Sequence, residues 1–554
     1  MAVIASWTSV QIAWPSLRGA RVRRRNHVAT AALSVKKESG QHKETDVVVI
    51  GAGIGGLSCA AMAAKYGLDV TVCESHSIPG GAAQGWRQDG YHFEAGPSLY
   101  SGMASTGTGA NPLAHVLQAI GEPLDIIKYN GWNVMIPEGQ FVDRVGTDDF
   151  IGHMHRLAGP DAVADWKRLQ VAMEPYTKAA AAVPSMALRQ DPTAAINLIG
   201  RYLPSLVSAG PAAARLIKPA SEVLDEVTKH PFIRHWMDLL CFLLQGQTAD
   251  RTILALIAFM FADWYKPNAS LEFPRGGSMG IVSALLRGLR KKGGQLLLNT
   301  HVDHIVVENG KAAGVRLRDG SMLRARKAVV SNASVWDTVK LIPADVLPSA
   351  WKQEAMSTPA CDSFMHLHLG FDASGLDGLE MHHIVVEDWE RGVQAEQNVT
   401  LVSIASIQDP KLAPKGKHTL HAYHPATEPY APWEHLQRGT PEYEAKKQER
   451  AKALWRAVER CIPDIHQRTE IEMVGTPLTH QHYVRKHRGT YGHSMKAGKD
   501  DYRPSRTPLP GLLCCGDSIF PGIGVPAVAA SGAIAANSLV PIWSHWKMLD
   551  EIGV

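Results

Sequence analysis

An α/β fold built on a parallel, nucleotide-binding sheet, with an α+β part interleaved into it, is predicted by three observations. A short β-branched run near the start of the chain ends in a glycine-rich turn and opens a small-residue helix (46–74). A stretch of the same style closes the chain (511–528). Between them the pattern leaves this glycine-punctuated style at about 112, returns to it at about 271, and becomes mixed strand and helix again from 336 to 499.

The opening unit carries most of the information. Val47 to Ile50 is apolar and uncharged, as a parallel strand covered on both faces should be. It ends at Gly51-Ala52-Gly53-Ile54-Gly55-Gly56. Gly51 permits the tight turn, Gly53 lets backbone approach a pyrophosphate, and Gly56 allows close helix–strand packing. The helix expected over 57–65 aims its N-terminal amides and positive dipole end at that phosphate. A second strand, 68–73, delivers Glu74 to a ribose. Strand before, helix after and an acid about 20 residues on turn a weak glycine motif into a Rossmann-type dinucleotide site. The motif alone does not separate FAD from NAD.

The 554 residues suggest about three to four domain equivalents. Residues 1–37 hold seven Lys or Arg and no Asp or Glu, and without them the formal charge falls from +4 to −3. The basic balance therefore belongs to the leader, and nothing argues for nucleic acid. Arg-rich, acid-poor and lacking a long apolar core, residues 1–43 read as a transit peptide or disordered leader, with processing expected between Ala29 and Glu44. A chloroplast or a mitochondrion is the destination such a leader implies. Seven cysteines form no Cys-x-x-Cys pair, so no disulfide framework or zinc ribbon is indicated. No apolar run is long enough to span a bilayer, and the charge-free 518–544 reads as a buried helix.

After Glu74 come Gly80-Gly81 and then Tyr91-His92-Phe93-Glu94-Ala95-Gly96-Pro97-Ser98, a hairpin pattern whose glycines suit backbone lying near a flat ligand. Residues 233–265 are notably apolar and read as a buried helix pair, or as the wall of an apolar tunnel with a membrane-facing mouth. Phe273-Pro274-Arg275-Gly276-Gly277 opens a helix with Ile281, Leu285 and Leu289 on one face. A meander carrying Val302 follows, and Ser331-Asn332-Ala333 sits where a parallel strand ends at the ligand crevice. Near the C-terminus a strand delivers Gly516-Asp517 ahead of a helix from Val525, repeating the opening logic. The nucleotide domain is thus expected to be discontinuous, 44–130, 271–335 and 500–554, with the substrate domain filling 131–270 and 336–499.

Only one such fingerprint is present, and a reductase with a built-in NAD domain would need a second and a cysteine pair. Any reductant therefore comes from outside. Together, Gly51 to Gly56 with Glu74, Gly80-Gly81, Phe273 to Gly277, and Gly516-Asp517 with Pro521-Gly522-Ile523-Gly524-Val525 resemble the carotenoid isomerase and phytoene-desaturase-like family of FAD proteins. Ala313-Gly314-Val315-Arg316-Leu317, Val474-Gly475-Thr476-Pro477 and Gly489-Thr490-Tyr491-Gly492 are most similar to its prolycopene isomerase branch, and the resemblance covers about 45 to 545.

The resemblance implies a glutathione-reductase-like FAD domain. Gly51, Gly53, Gly55 and Gly56 would hold the pyrophosphate, Glu74 the adenosine ribose and Val302 the adenine. Gly80 and Gly81 would back the phosphates, and Asn332 would face the crevice. Gly516 and Asp517 would meet the phosphate and ribityl region. Gly524, Val525 and Ala527 would put a helix start near the pyrimidine edge, and Glu94, Gly96, Pro97 and Ser98 would lie near the isoalloxazine. Tyr100, Trp264, Phe273 and Tyr491 are candidate substrate aromatics, and Glu94 and Asp250 candidates for proton transfer. His366-x-His368 and His480-x-His482 would pair imidazoles on strand faces, but with no matching carboxylate motif no metal is expected.

By function the resemblance implies an FAD-dependent cis–trans isomerase of a poly-cis carotenoid such as prolycopene, using reduced flavin with no net redox change. The alternatives are a desaturase, saturase or related oxidoreductase of an isoprenoid, or a flavin-bound plastid protein that handles pigment without turnover. Expected partners are an apolar polyene, an external electron donor or acceptor, and a membrane surface.

Overall fold

The computed structural model describes residues 43–554; the expected leader, up to residue 42, lies outside them. Seven strands form the first sheet. Strand β1 (Lys43–Ile50) lies parallel between β2 (Val70–Cys73) and Met322–Ser331. Gln295–Leu297 extends the parallel set beyond β2. On the other side Lys311–Leu317 and Val302–Glu308 continue as an antiparallel meander, and Leu512–Cys514 pairs in parallel with Val329 to Ser331.

Helix α1 (Ile54–Lys65) starts three residues earlier than the sequence suggested, with Gly53 as its N-cap. The fingerprint's last two glycines therefore lie inside its first turn, where their missing side chains are used. A Cβ on Gly56 would come within 2.2 Å of the Gly51 carbonyl oxygen. The closing helix, Val525–Asn537, is packed as tightly against α1: a Cβ on Gly532 would lie 2.2 Å from the Gly55 carbonyl oxygen. Small residues are what let these two buried helices meet backbone to backbone.

The second sheet also has seven strands. Its order is Thr469–Gly475, Ser363–Asp372, Lys417–Glu428, Val399–Ser403, His382–Val386, Gly131–Ile136, Gly139–Arg144. All neighbours are antiparallel except His382–Val386 with Gly131–Ile136. Alternation along Ser363–Asp372 divides its labour. Met365, Leu367, Leu369 and Phe371 enter a core with Leu454 and Val458 of helix Pro441–Cys461. The residues between them point the other way.

The apolar run 233–265 becomes helices Pro231–Gln245 and Leu254–Trp264, and mostly core: Trp236 packs between Trp132 and Phe150, with centroids 5.8 and 4.6 Å away. Among the described residues no helix is long and apolar enough to cross a membrane.

Candidate functional site

The carboxyl ends of β1, Met322–Ser331 and Leu512–Cys514 lie side by side, Ile50 opposite Ser331 and Ser331 opposite Cys514. Asn332 is the first residue beyond the middle strand. Its backbone N–H donates to the Ile50 carbonyl at 2.9 Å, and its side chain fills the space between the two glycine turns. A Cβ would meet the Asn332 amide at 2.8 Å from Gly53, 2.7 Å from Gly55 and 2.9 Å from Gly516. Glycines from both ends of the chain thus close around one side chain.

Glu74, buried at the end of β2, is held from both sides. Its carboxylate accepts the Ala52 N–H at 2.8 Å on one oxygen and the His76 N–H at 2.8 Å on the other. The Gly80 N–H donates to the Ala52 carbonyl at 2.8 Å, which brings the Gly80-Gly81 turn against the fingerprint. Asp517 forms an ion pair with Lys486, whose ammonium also donates to the Tyr491 carbonyl at 2.6 Å.

These groups line one cavity of about 750 Å³. Part of the lining is polar, made of the glycine turns, Glu74, Asn332 and Asp517, with Lys340, Arg485 and Lys486 at hand. Another part is aromatic and aliphatic: Leu243, Phe364, Leu401, Tyr423, Tyr491 and Ile523. Phe364 is the hub, with ring centroids 5.1 Å from Tyr491 and 4.8 Å from His480. A concave site with convergent polar groups and an apolar body is built to bind an amphipathic ligand.

Of the residues expected from sequence, Gly51, Gly53, Gly55, Glu74, Gly80, Gly81, Gly96, Pro97, Val302, Asn332, Gly516, Asp517, Gly524, Val525 and Tyr491 line this cavity. Gly56 lies beneath the turn, and Ala527 is buried within the closing helix. Ser98 is buried beside the cavity, its hydroxyl 2.7 Å from that of Ser403.

Three aromatic candidates are corrected to packing roles. Phe273 is fully buried with Met381, Ala405 and Leu412. Trp264 donates to the Ser101 hydroxyl at 2.9 Å and packs on Trp132. The Tyr100 hydroxyl donates to the Pro97 carbonyl at 2.9 Å and meets the Ser278 hydroxyl at 2.9 Å, so this ring braces the 96–98 turn from behind.

The two acids diverge. Asp250 is exposed and bound by the Thr248 hydroxyl, so it is no buried proton donor. Glu94 is buried, accepts the Ser278 N–H at 2.5 Å, and is pushed up to about 7 by burial. It shares a one-water cavity of about 10 Å³ with Ser98, Ser403 and His421.

His480 and His482 lie on helix Pro477–Val484 rather than on a strand. Thr476 caps that helix by accepting the Thr479 N–H, and Pro477 occupies its first turn. Sequence reasoning missed Lys486. Its signal was the basic run 485–488 immediately before Gly489-Thr490-Tyr491.

Residues 54–540 match the family model described as flavin containing amine oxidoreductase. The chain belongs to that family. It is 30% identical over 528 residues to the chloroplastic prolycopene isomerase of Arabidopsis thaliana, covering 92% of this chain and 85% of that one. With the chloroplastic prolycopene isomerase of Daucus carota it shares 29% over 551 residues, covering 93% and 85%. A phytoene desaturase (neurosporene-forming) of Rhodobacter capsulatus is 24% identical over 515 residues, covering 89% and 93%. Among solved structures, an oxidoreductase from Methanosarcina mazei superposes with a TM-score of 0.57 at 20% identity, covering 88% and 98%. Putrescine oxidase does so with 0.57 at 16%, covering 89% and 98%. Those two likenesses show the fold.

The resemblance read from the motifs is therefore borne out. The protein is an FAD-dependent enzyme with a Rossmann-type FAD-binding fold and a second, substrate-bearing part. The cavity fits that cofactor: α1 starts under the glycine turn, cationic side chains belong to the polar lining, and Glu74 keeps oxygen lone pairs toward the space.

Proposed function

We propose that this enzyme is a carotenoid cis–trans isomerase, acting on a poly-cis carotenoid such as prolycopene with no net redox change. The observation that carries the reading is the large cavity with both polar and apolar lining, in a chain similar over most of its length to proteins named as prolycopene isomerases.

In this reading 44–130, 271–335 and 500–554 make the flavin domain, and 131–270 with 336–499 the substrate domain. The turn of Gly51, Gly53 and Gly55, whose Gly51 N–H itself donates to the Cys73 carbonyl, holds the pyrophosphate over the start of α1, which Gly56 lets pack closely. Gly80 and Gly81 close over the phosphates. Glu74 binds the adenosine ribose, Val302 meets the adenine, and Asn332 keeps the turns apart. Gly516 and Asp517 bind the phosphate and ribityl region, with Lys486 holding the Asp517 carboxylate in place. Gly524, Val525 and Ala527 bring a helix start to the pyrimidine edge, and Gly96, Pro97 and Ser98 flank the isoalloxazine.

Bound FAD supplies electron exchange with a conjugated chain. The protein positions that chain and excludes water from it. Phe364, Tyr423 and Tyr491 offer flat faces to a polyene, and Leu243, Leu401 and Ile523 complete an apolar wall. Glu94, behind Pro97, holds its proton up to about pH 7 and accepts the Ser278 N–H, fixing the residue whose hydroxyl donates to the Pro97 carbonyl in the 96–98 turn.

Work at a plastid membrane surface is supported by helix Ala194–Arg215. Its Ile196, Ile199, Leu203 and Val207 fall on one face and are 59%, 60%, 47% and 70% exposed. An apolar stripe of that kind on an exposed helix suits the headgroup–acyl boundary.

Anaerobic incubation of the reduced holoprotein with prolycopene, followed by chromatography and mass measurement, tests the reading. The expected product is an isomer of unchanged mass. A gain of two hydrogens would instead assign a saturase, a loss of two hydrogens in a parallel incubation of the oxidised holoprotein with an added quinone acceptor a desaturase, and saturable binding without conversion a pigment-handling protein.

A further inference from the structure

One face of the second sheet carries three imidazoles that the flavin site does not use. His366 and His368 stand two apart on Ser363–Asp372 and so share a face, and His421 on Lys417–Glu428 is directly opposite His368. The hairpin of Gly85–Gln88 and Tyr91–Glu94 covers them: Phe93 lies 6.1 Å from the His368 ring, and Trp86 5.1 Å.

The three rings converge. His366 Nδ1 is 3.0 Å from His421 Nε2, the His368 and His421 centroids are 4.3 Å apart, and one nitrogen from each ring lies within 4.8 Å of the other two. All three are buried. Nδ1 of His368 and Nδ1 of His421 have no hydrogen-bond partner. Buried polar atoms without partners are costly and ask for an explanation. Burial keeps the three rings uncharged, which is the ligand form of imidazole.

We propose that His366, His368 and His421 form a binding site for a divalent d-block cation, zinc(II) foremost, held by three imidazole nitrogens with water in the fourth position. Three neutral nitrogens suit zinc and its neighbours better than magnesium or calcium, which take oxygen ligands. Three protein ligands with one open place is the pattern of an accessible zinc site rather than a closed structural one. Beside His421 lies the small cavity it lines with Glu94, Ser98 and Ser403, close to the turn that flanks the cofactor cavity. The cation would tie Ser363–Asp372 to Lys417–Glu428, the strands that bring Phe364 and Tyr423 to the apolar lining.

The test is metal analysis of the untagged holoprotein after incubation with zinc and desalting. The expected result is about one zinc per chain, exchangeable for cobalt(II) with the visible bands of a tetrahedral complex. His368→Gln and His421→Gln should each weaken zinc binding more than about 100-fold while leaving the flavin spectrum intact. His466→Gln, at an exposed ring paired with Glu459, should keep the metal. Should either cluster variant fail to fold, the wild-type zinc content and cobalt spectrum decide. Wild-type holoprotein that retains no zinc or cobalt would overturn the proposal, as would zinc that persists in the folded cluster variants, which would mark it as adventitious.

Discussion

The two sheets serve the cavity in different ways. The first offers backbone: glycine turns at strand ends, the start of α1, and one carboxylate, assembled around Asn332. The second offers side chains, Phe364 and Tyr423 toward the cavity and His366, His368 and His421 farther along the same face of the same two strands. A backbone site tolerates almost no added volume, whereas a side-chain site is adjusted residue by residue. The lesson is that the cofactor site should fail by steric exclusion and the apolar lining by graded loss of affinity.

Gly55→Leu is the strongest way to break that contrast. Its new side chain would enter the Asn332 amide and the Gly516 backbone, at a cost of about 3 kcal/mol or more. Purified protein should lack flavin absorbance. If it retains flavin, the steric account of the first sheet is wrong.

Linkage at Glu94 comes next. Its folded-state value, raised to about 7, lies above the unfolded one near 4.5. Between those values the folded state binds the extra proton, so stability falls as pH rises from about 4.5 to 7 and levels off above. The span is about 3 kcal/mol. Thermal melts at pH 5 and pH 8 should therefore differ more for the wild type than for Glu94→Gln, whose amide oxygen still accepts the Ser278 N–H. Equal pH dependence in the two proteins would remove Glu94 as the cause.

Glu74→Gln keeps the shape and removes the charge. Losing charge-assisted acceptance costs about 1.5–3 kcal/mol, so FAD should bind about 10- to 100-fold more weakly to apoprotein in a fluorescence titration. Ile199→Glu with Leu203→Glu should lower sedimentation with anionic vesicles by about tenfold per residue, leaving flavin content unchanged. Asp250→Asn, at an exposed side chain, should change neither flavin content nor turnover.

The same contrast explains what was legible from the amino-acid sequence. Gly51 to Gly56, Glu74 and Gly516-Asp517 are contiguous signals whose meaning depends on a strand before and a helix after, both readable from periodicity. Asn332 was placed by its position past an apolar strand, though its part in spacing three glycines needed coordinates. The second sheet was opaque because its cavity residues come from strands far apart in sequence. Phe273, outside that sheet, shows a related difficulty: a motif places a residue near the site, but not whether its side chain meets core or cavity. His480 and His482 were misread because x-His-x-His spacing was taken ahead of the Thr476-Pro477 helix start. Lys486 escaped because a basic run reads by default as solvated surface.

The central claim, flavin on the first sheet and polyene on the second, is tested most directly by Phe364→Ala. Flavin content and polyene affinity should be measured on the same preparation. The account predicts unchanged flavin content with polyene binding weakened by about 3 kcal/mol or more, on the order of 100-fold. Loss of flavin with polyene affinity intact would contradict it.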